Sequence, residues 1–168
     1  MDLKPALEKL EKDPDFKKWK HKSKNTYFSY AFKIPQEMGL NDWQLGFYDN
    51  KKDKITTFVM TGDNISIRAE EDIFKEEETK VNEVRIDKIK IALDKAIEKT
   101  NEFQEKNFPH DKSIKTIAIL QNIPELGNVW NITYVTEKFN TLNMKVDASS
   151  GKVVEHNIAS VFDFRQKE

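Results

Sequence analysis

Two stretches of the chain, 40–74 and 127–162, carry the same succession of short alternating apolar runs separated by polar turns. With the runs "NTYFSYAFKI" and "IKTIAIL" ahead of them, they give eight strand-like segments in two sets of four. Alternation with a period of two is typical of β-strands, and turns rich in glycine, asparagine or charged residues favour hairpins between neighbours. The sequence therefore predicts antiparallel sheet, formed from strands that follow one another in the chain.

Helical patterns precede each set of strands. Leu3, Leu7 and Leu10 share one helical face, and this helix should end at Asp13-Pro14, where Asp13 caps a second short helix. Before the second set, apolar residues from Ile86 to Phe103 keep helical spacing. They predict an amphipathic helix of about five turns that ends before Pro109.

The two halves align as an internal repeat. Setting Trp43 against Trp130 also places Phe47 opposite Tyr134, with small length differences confined to loops. The period is the size of a domain, so the pattern indicates duplication of a whole unit rather than a solenoid.

The predicted fold class is therefore α+β, with two tandem α-β-β-β-β units, each a helix packed on a four-stranded antiparallel sheet. Residues 1–75 form the first unit, 76–84 an acidic linker, and 85–168 the second unit. Each sheet has apolar residues on both faces, so its second face needs cover. Two stacked sheets, or one continuous sheet with helices on one side, would both supply it.

Two motifs of the second half lie between about residue 85 and residue 162: the helix "RIDKIKIALDKAIEKTNEF" and the hairpin "MKVDASSGKVVEH". Together they resemble a PepSY domain. The hairpin positions that match the family pattern are Val146, Asp147, Gly151, Lys152 and Val153. PepSY domains occur in propeptides of thermolysin-type peptidases and in bacterial envelope proteins. The resemblance implies a cystatin-like helix-on-sheet shape and a non-enzymatic role in binding a protein partner, such as a peptidase.

The sequence offers no recognisable catalytic, cofactor or metal motif. The chain has no cysteine and three histidines, and none of these lies in a pattern typical of zinc or nucleophile sites. His156 shares a predicted strand face with Val154 and Ile158, where a histidine is usually a core or interface residue. We therefore predict no enzyme activity, no cofactor and no metal, and keep His156 as a candidate binding residue.

Charge and hydropathy bear on partners and location. The net charge is −1, which gives no overall attraction to nucleic acid, and no apolar run approaches the roughly 20 residues of a membrane-spanning helix. The N-terminus lacks a basic region followed by an apolar stretch. These features predict a cytoplasmic protein that binds neither nucleic acid nor membrane.

The repeated aromatic residues Trp43, Phe47, Trp130 and Tyr134 have two interpretations: core residues under the helices, or the lining of a groove between the units that binds a peptide or small ligand. We predict a protein-binding module, for example a peptidase inhibitor or regulator, that uses an exposed sheet edge or the surface between the repeats. A homodimer is compatible with such an edge. The alternative is a small-molecule carrier or enzyme with a pocket between helix and curved sheet.

Overall fold

The computed structural model describes residues 2–72 and 80–165. Three α-helices are present in these ranges: α1 (Leu3–Lys12), α2 (Pro14–Lys22) and α3 (Leu93–Asn107). Two 3-10 segments, Ile86–Lys88 and Val161–Arg165, precede α3 and follow the last strand.

The first two helices follow the sequence prediction. α1 ends where Pro14 begins α2, and the Asp13 carboxylate accepts hydrogen bonds from the backbone N–H groups of Asp15 and Phe16. An aspartate at this position satisfies amide groups that have no partner within the helix. The predicted N-cap is confirmed.

Eight strands lie at the positions that the alternation predicts, and each is antiparallel to its neighbours. They form a single sheet in the order β4-β3-β2-β1-β5-β6-β7-β8. Their bounds are β1 (Thr26–Lys33), β2 (Trp43–Asp49), β3 (Lys54–Thr61), β4 (Asn64–Asp72), β5 (Ser113–Ile123), β6 (Gly127–Thr136), β7 (Asn140–Asp147) and β8 (Val153–Ser160).

The predicted division into two separate helix-plus-four-strand units is wrong. Strands β1 and β5 pair directly, with Ala31 opposite Leu120 and Phe32 opposite Ile119, so both sets of strands belong to one sheet. This pairing joins residues about 90 positions apart in the chain, and no local sequence pattern encodes it. Of the predicted acidic linker 76–84, only residues 80–84 lie within the described ranges.

The predicted long helix begins later than expected. Its first residue is Leu93 rather than Ile86, because the backbone N–H groups of Lys90 and Ile91 both donate to the carbonyl of Ala148, which follows β7. These bonds hold the segment before α3 in an extended path along the end of the sheet. α3 then buries Leu93, Ala96, Thr100 and Gln104 at helical spacing.

All three helices pack on the same face of the sheet. Residues directly opposite each other in antiparallel strands share a face, which places Leu45, Leu120 and Trp130 on one side. α1 and α2 cover the first half of this side and α3 covers β6, β7 and β8. One core cluster runs from Leu3 in α1 to Val146 in β7.

Candidate functional site

The four repeated aromatic residues lie in the core. Trp43 and Trp130 are fully buried on the helix-covered face, and their ring centroids are 6.4 Å apart. Phe47 packs against Phe16 of α2, with ring centroids 5.3 Å apart. These contacts give the rings a structural role at the centre of the sheet.

Hydrogen bonds join the hydroxyl of Tyr134 to side chains of α3. Its hydroxyl lies 2.7 Å from the hydroxyl of Thr100 and donates a hydrogen bond to the side-chain carbonyl of Asn101. Burial raises the pKa of Tyr134 above its ordinary value, and the Thr100 hydrogen bond opposes that shift. A neutral phenol that anchors a helix to the sheet is a packing device, so the structure does not bring Tyr134 into an open site.

His156 is the one predicted candidate that is exposed. It lies on β8, with its ring centroid 4.9 Å from that of Phe103 and 6.0 Å from that of Phe108, at the C-terminal end of α3. The imidazole therefore rests on an aromatic surface beside the last strand of the sheet.

Strand β8 leaves one of its edges open. Its inner side pairs with β7 from Asn140 opposite Ser160 to Val146 opposite Val153. Its outer side has no backbone partner among the described residues. We call this outer side, together with Phe139 and Phe162 near its end, the β8 edge.

The two outer strands differ in charge. β4, "NISIRAEED", contains four charged residues, whereas β8, "VVEHNIAS", contains only Glu155 and the titratable His156. Charged side chains on an outer strand are a common protection against pairing with another chain. β8 has little of that protection.

Glu155 forms an ion pair with Lys145, which lies at the end of a chain of side-chain hydrogen bonds. On the face opposite the helices, Asn131 donates to Gln121 at 2.9 Å and Asn143 donates to Asn131 at 2.6 Å. Lys145 then donates to Asn143 at 3.0 Å and pairs with Glu155 at 2.8 Å. The carboxylate of β8 is thus engaged within its own sheet.

Exposed apolar side chains flank the β8 edge. Val154 is 43% exposed near its start, while Phe139 and Phe162 are 58% and 57% exposed near its end. The two phenyl rings contact each other, with centroids 6.0 Å apart. The backbone N–H of Val161 donates to the carbonyl of Phe139, so the end of β8 and the turn before β7 are tied together.

Phe139 occupies an unfavourable backbone conformation. It closes the short turn between β6 and β7 with φ of +59°. Glycine or asparagine usually fills this left-handed position, because a side chain there costs about 1–2 kcal/mol. The exposed ring gains little burial in return, and strain of this kind is often found at functional positions.

The sequence interpretation named His156 but missed Phe139. A phenylalanine in the third position of "EKF", where a tight turn favours glycine or asparagine, was the available signal. Phe162 entered only as the end of the repeat, because its exposure depends on the path of the chain after β8.

In the described ranges, no three histidine, aspartate or glutamate side chains come together as metal ligands would. No helix in those ranges is both long and apolar enough to cross a bilayer.

No family model and no curated protein matches this chain. A solved structure has a similar fold: a putative lipoprotein from Clostridium difficile 630, with a TM-score of 0.57 and 16% sequence identity, over 89% of this chain and 97% of that chain. A likeness at this identity shows a shared fold alone. Membership of the PepSY family and a cytoplasmic location therefore stay predictions.

Proposed function

We propose that this chain is a non-enzymatic protein-binding module that takes an extended segment of its partner onto the β8 edge. The observation that carries the proposal is an outer strand whose outer side has no backbone partner in the described ranges, with three exposed apolar side chains near its ends. Backbone hydrogen bonds to the open edge would supply affinity, as in other strand-addition complexes. β8 has eight residues, enough for a partner strand of about 25 Å.

Phe139 and Phe162 would anchor the partner. Aromatic side chains dominate the energetics of many interfaces, and a few of them usually carry most of the binding free energy. Here the two rings already contact each other, so less side-chain freedom is lost when a partner covers them. His156 lies on the helix-covered side of the same strand, against Phe103. It would determine which side chains of the partner bind there.

Site-directed photo-crosslinking tests the location of binding. A photoreactive phenylalanine analogue is placed at position 154, and at position 67 on β4 as a control, because Val154 and Ile67 are similarly exposed at 43% and 46%. We expect a protein partner from the native lysate to crosslink from position 154 only. Equal crosslinking from both positions, or crosslinking from position 67 alone, would contradict the proposal.

Two substitutions separate binding from folding. Phe139→Gly relieves the backbone strain, so it should keep or raise stability while it reduces capture by about tenfold or more. Val154→Lys should block strand addition, whereas Ile67→Lys should not. A Phe139→Gly protein that captures the partner as well as wild type does would show that Phe139 is not an anchor.

Because the PepSY resemblance implies a peptidase as partner, an inhibition assay accompanies these capture experiments. A captured peptidase should be inhibited by wild type but not by Val154→Lys.

A further inference from the structure

Two cavities of about 260 Å³ each lie along α1. The first lies at the start of the helix and the second along its middle and end, above Phe28 and Phe47 of the sheet. Both cavities have mainly apolar walls. The walls of the first are formed by Leu3, Pro5, Ile86, Ile89, Ile91, Ala92 and Trp130. The walls of the second are formed by Leu7, Leu10, Phe16, Phe28, Phe47 and Ile86.

The two cavities meet at Lys4 and Ile86, which line both. We call the two cavities together, with the side chains of Lys4 and Ile86 at their boundary, the α1 groove. The α1 side runs from Asp2 to Glu11, a rise of about 13 Å at 1.5 Å per residue. That length suits an elongated apolar ligand better than a compact one.

The far wall of the α1 groove is fixed by hydrogen bonds from the sheet. The N–H groups of Lys90 and Ile91 donate to Ala148, and the indole N–H of Trp130 donates to the carbonyl of Ile91 at 2.8 Å. Because these bonds prevent helix formation before Leu93, Ile86 and Ile91 are left half-buried beside α1. The groove is thus built into the fold, and pre-formed apolar pockets are typical of ligand sites.

Charges divide the α1 groove into a cationic and an acidic part. Lys4 and Lys90 line the first cavity, and neither makes an ion pair within the described residues. The carboxylate of Asp2 also lines that cavity, but it interacts electrostatically with Lys33.

Glu8 and Glu11 line only the second cavity. A ligand with one anionic head and an apolar chain therefore matches the groove when its head lies at Lys4 and Lys90.

We propose that the α1 groove binds an anionic amphiphile with a single carboxylate or sulfate head and an unbranched alkyl chain. The chain runs from the first cavity past Ile86 towards Leu7 in the second, and its head stays at the solvent-facing lysines. This site is separate from the β8 edge and does not depend on the function proposed for that edge.

Calorimetric titration with hexanoate, octanoate, decanoate and dodecanoate, each below its micelle concentration, tests the chain. Each added methylene buried in the groove should improve affinity about fourfold, until the groove is filled. Absence of binding across the series, or affinity independent of chain length, would overturn the proposal.

Charge reversal tests the head. Lys4→Glu should weaken decanoate binding about fivefold or more and leave decanol binding unchanged, because only the ionised head interacts with the ammonium group. Lys12→Glu is the matched control, since Lys12 is an exposed lysine of the same helix that lines neither cavity. Equal losses in the two variants would refute the assigned head site.

Ile86→Glu tests where the alkyl chain of the ligand lies, because it puts a carboxylate where the two cavities meet. It should reduce decanoate and decanol binding alike by about tenfold, with circular dichroism and thermal unfolding used to confirm that the protein is folded. Unchanged binding in a folded Ile86→Glu protein would place the ligand elsewhere and refute the site.

Discussion

Replacing Gly46 by alanine should displace the ring of Tyr30 and destabilise the sheet. Tyr30 lies opposite Gly46, which lies opposite Thr57, so the three residues form one row across β1, β2 and β3. The tyrosine ring crosses the bare glycine, and its hydroxyl lies 2.7 Å from that of Thr57. A Cβ atom at position 46 would come within 1.9 Å of the ring, a distance that no side chain tolerates.

The expected cost follows from what the ring must give up. Tyr30 lies on the face without helices, so it can swing away, but it then loses its contact with the strand and its hydrogen bond. Overfilling a packed site typically costs about 1–3 kcal/mol. Without the ring, alanine should instead be better than glycine in a strand by about 0.5–1 kcal/mol. The effect of Gly46→Ala on the free energy of unfolding should therefore change sign between the wild-type and Tyr30→Ala backgrounds.

A double-mutant cycle measured by urea unfolding provides the test. Gly46→Ala alone should lower Tm by about 2–4 °C for each kcal/mol lost, and should be neutral or stabilising when Tyr30 is alanine. Tyr30→Phe measures the hydrogen bond alone, at about 0.5–1.5 kcal/mol. An equal loss in both backgrounds would show that the ring over Gly46 is not the cause, and would refute the reasoning.

Three further predictions concern turns and titrating groups. The Asp42 carboxylate accepts hydrogen bonds from the N–H groups of Gly62 and Gly39, which lower its pKa, so its contribution to stability is present above pH 4 and lost as pH falls. Loss of these two solvent-screened hydrogen bonds in Asp42→Ala should cost about 1 kcal/mol at neutral pH, and the gap in Tm from wild type should close in acid. Gly151→Ala should cost about 1–2 kcal/mol in chemical unfolding, because Gly151 has φ of +79° while its Cβ would meet only an ordinary contact at 3.5 Å. Burial raises the pKa of Tyr30 and of Tyr134, so stability should fall as pH rises above about 10, and phenolate absorbance should show a late-titrating component that Tyr134→Phe reduces.

Local patterns were sufficient for the strands and for the first two helices. The alternation in β1 to β8 and the polar turns between them depend on neighbouring residues, and so does the Asp13 cap that begins α2. The start of α3 could not be found in this way. The apolar spacing from Ile86 onward is helical, but hydrogen bonds from Lys90 and Ile91 to Ala148, nearly 60 residues later, hold the chain extended just before Leu93, where α3 begins.

The candidate surfaces were only partly predictable. An exposed sheet edge was expected from the strand count, and His156 does lie on the outer strand. Which edge is poorly protected depends on which strands become the outer ones, and the exposure of Phe139 depends on its left-handed turn. The α1 groove could not be predicted, because its two walls come from segments about 80 residues apart.

The strands, their hairpins and the helical faces can be predicted from local patterns, because each arises from residues close together in the chain. The sequence by itself did not determine whether the two sets of strands form two sheets or one, because both arrangements use the same alternation. The tertiary structure decided this through the pairing of Ala31 with Leu120 and the burial of Trp43 against Trp130. With both sets of strands in one sheet, burial of its helix-covered face forms a single core, and β4 and β8 are the outer strands of the part of the chain that the structure describes.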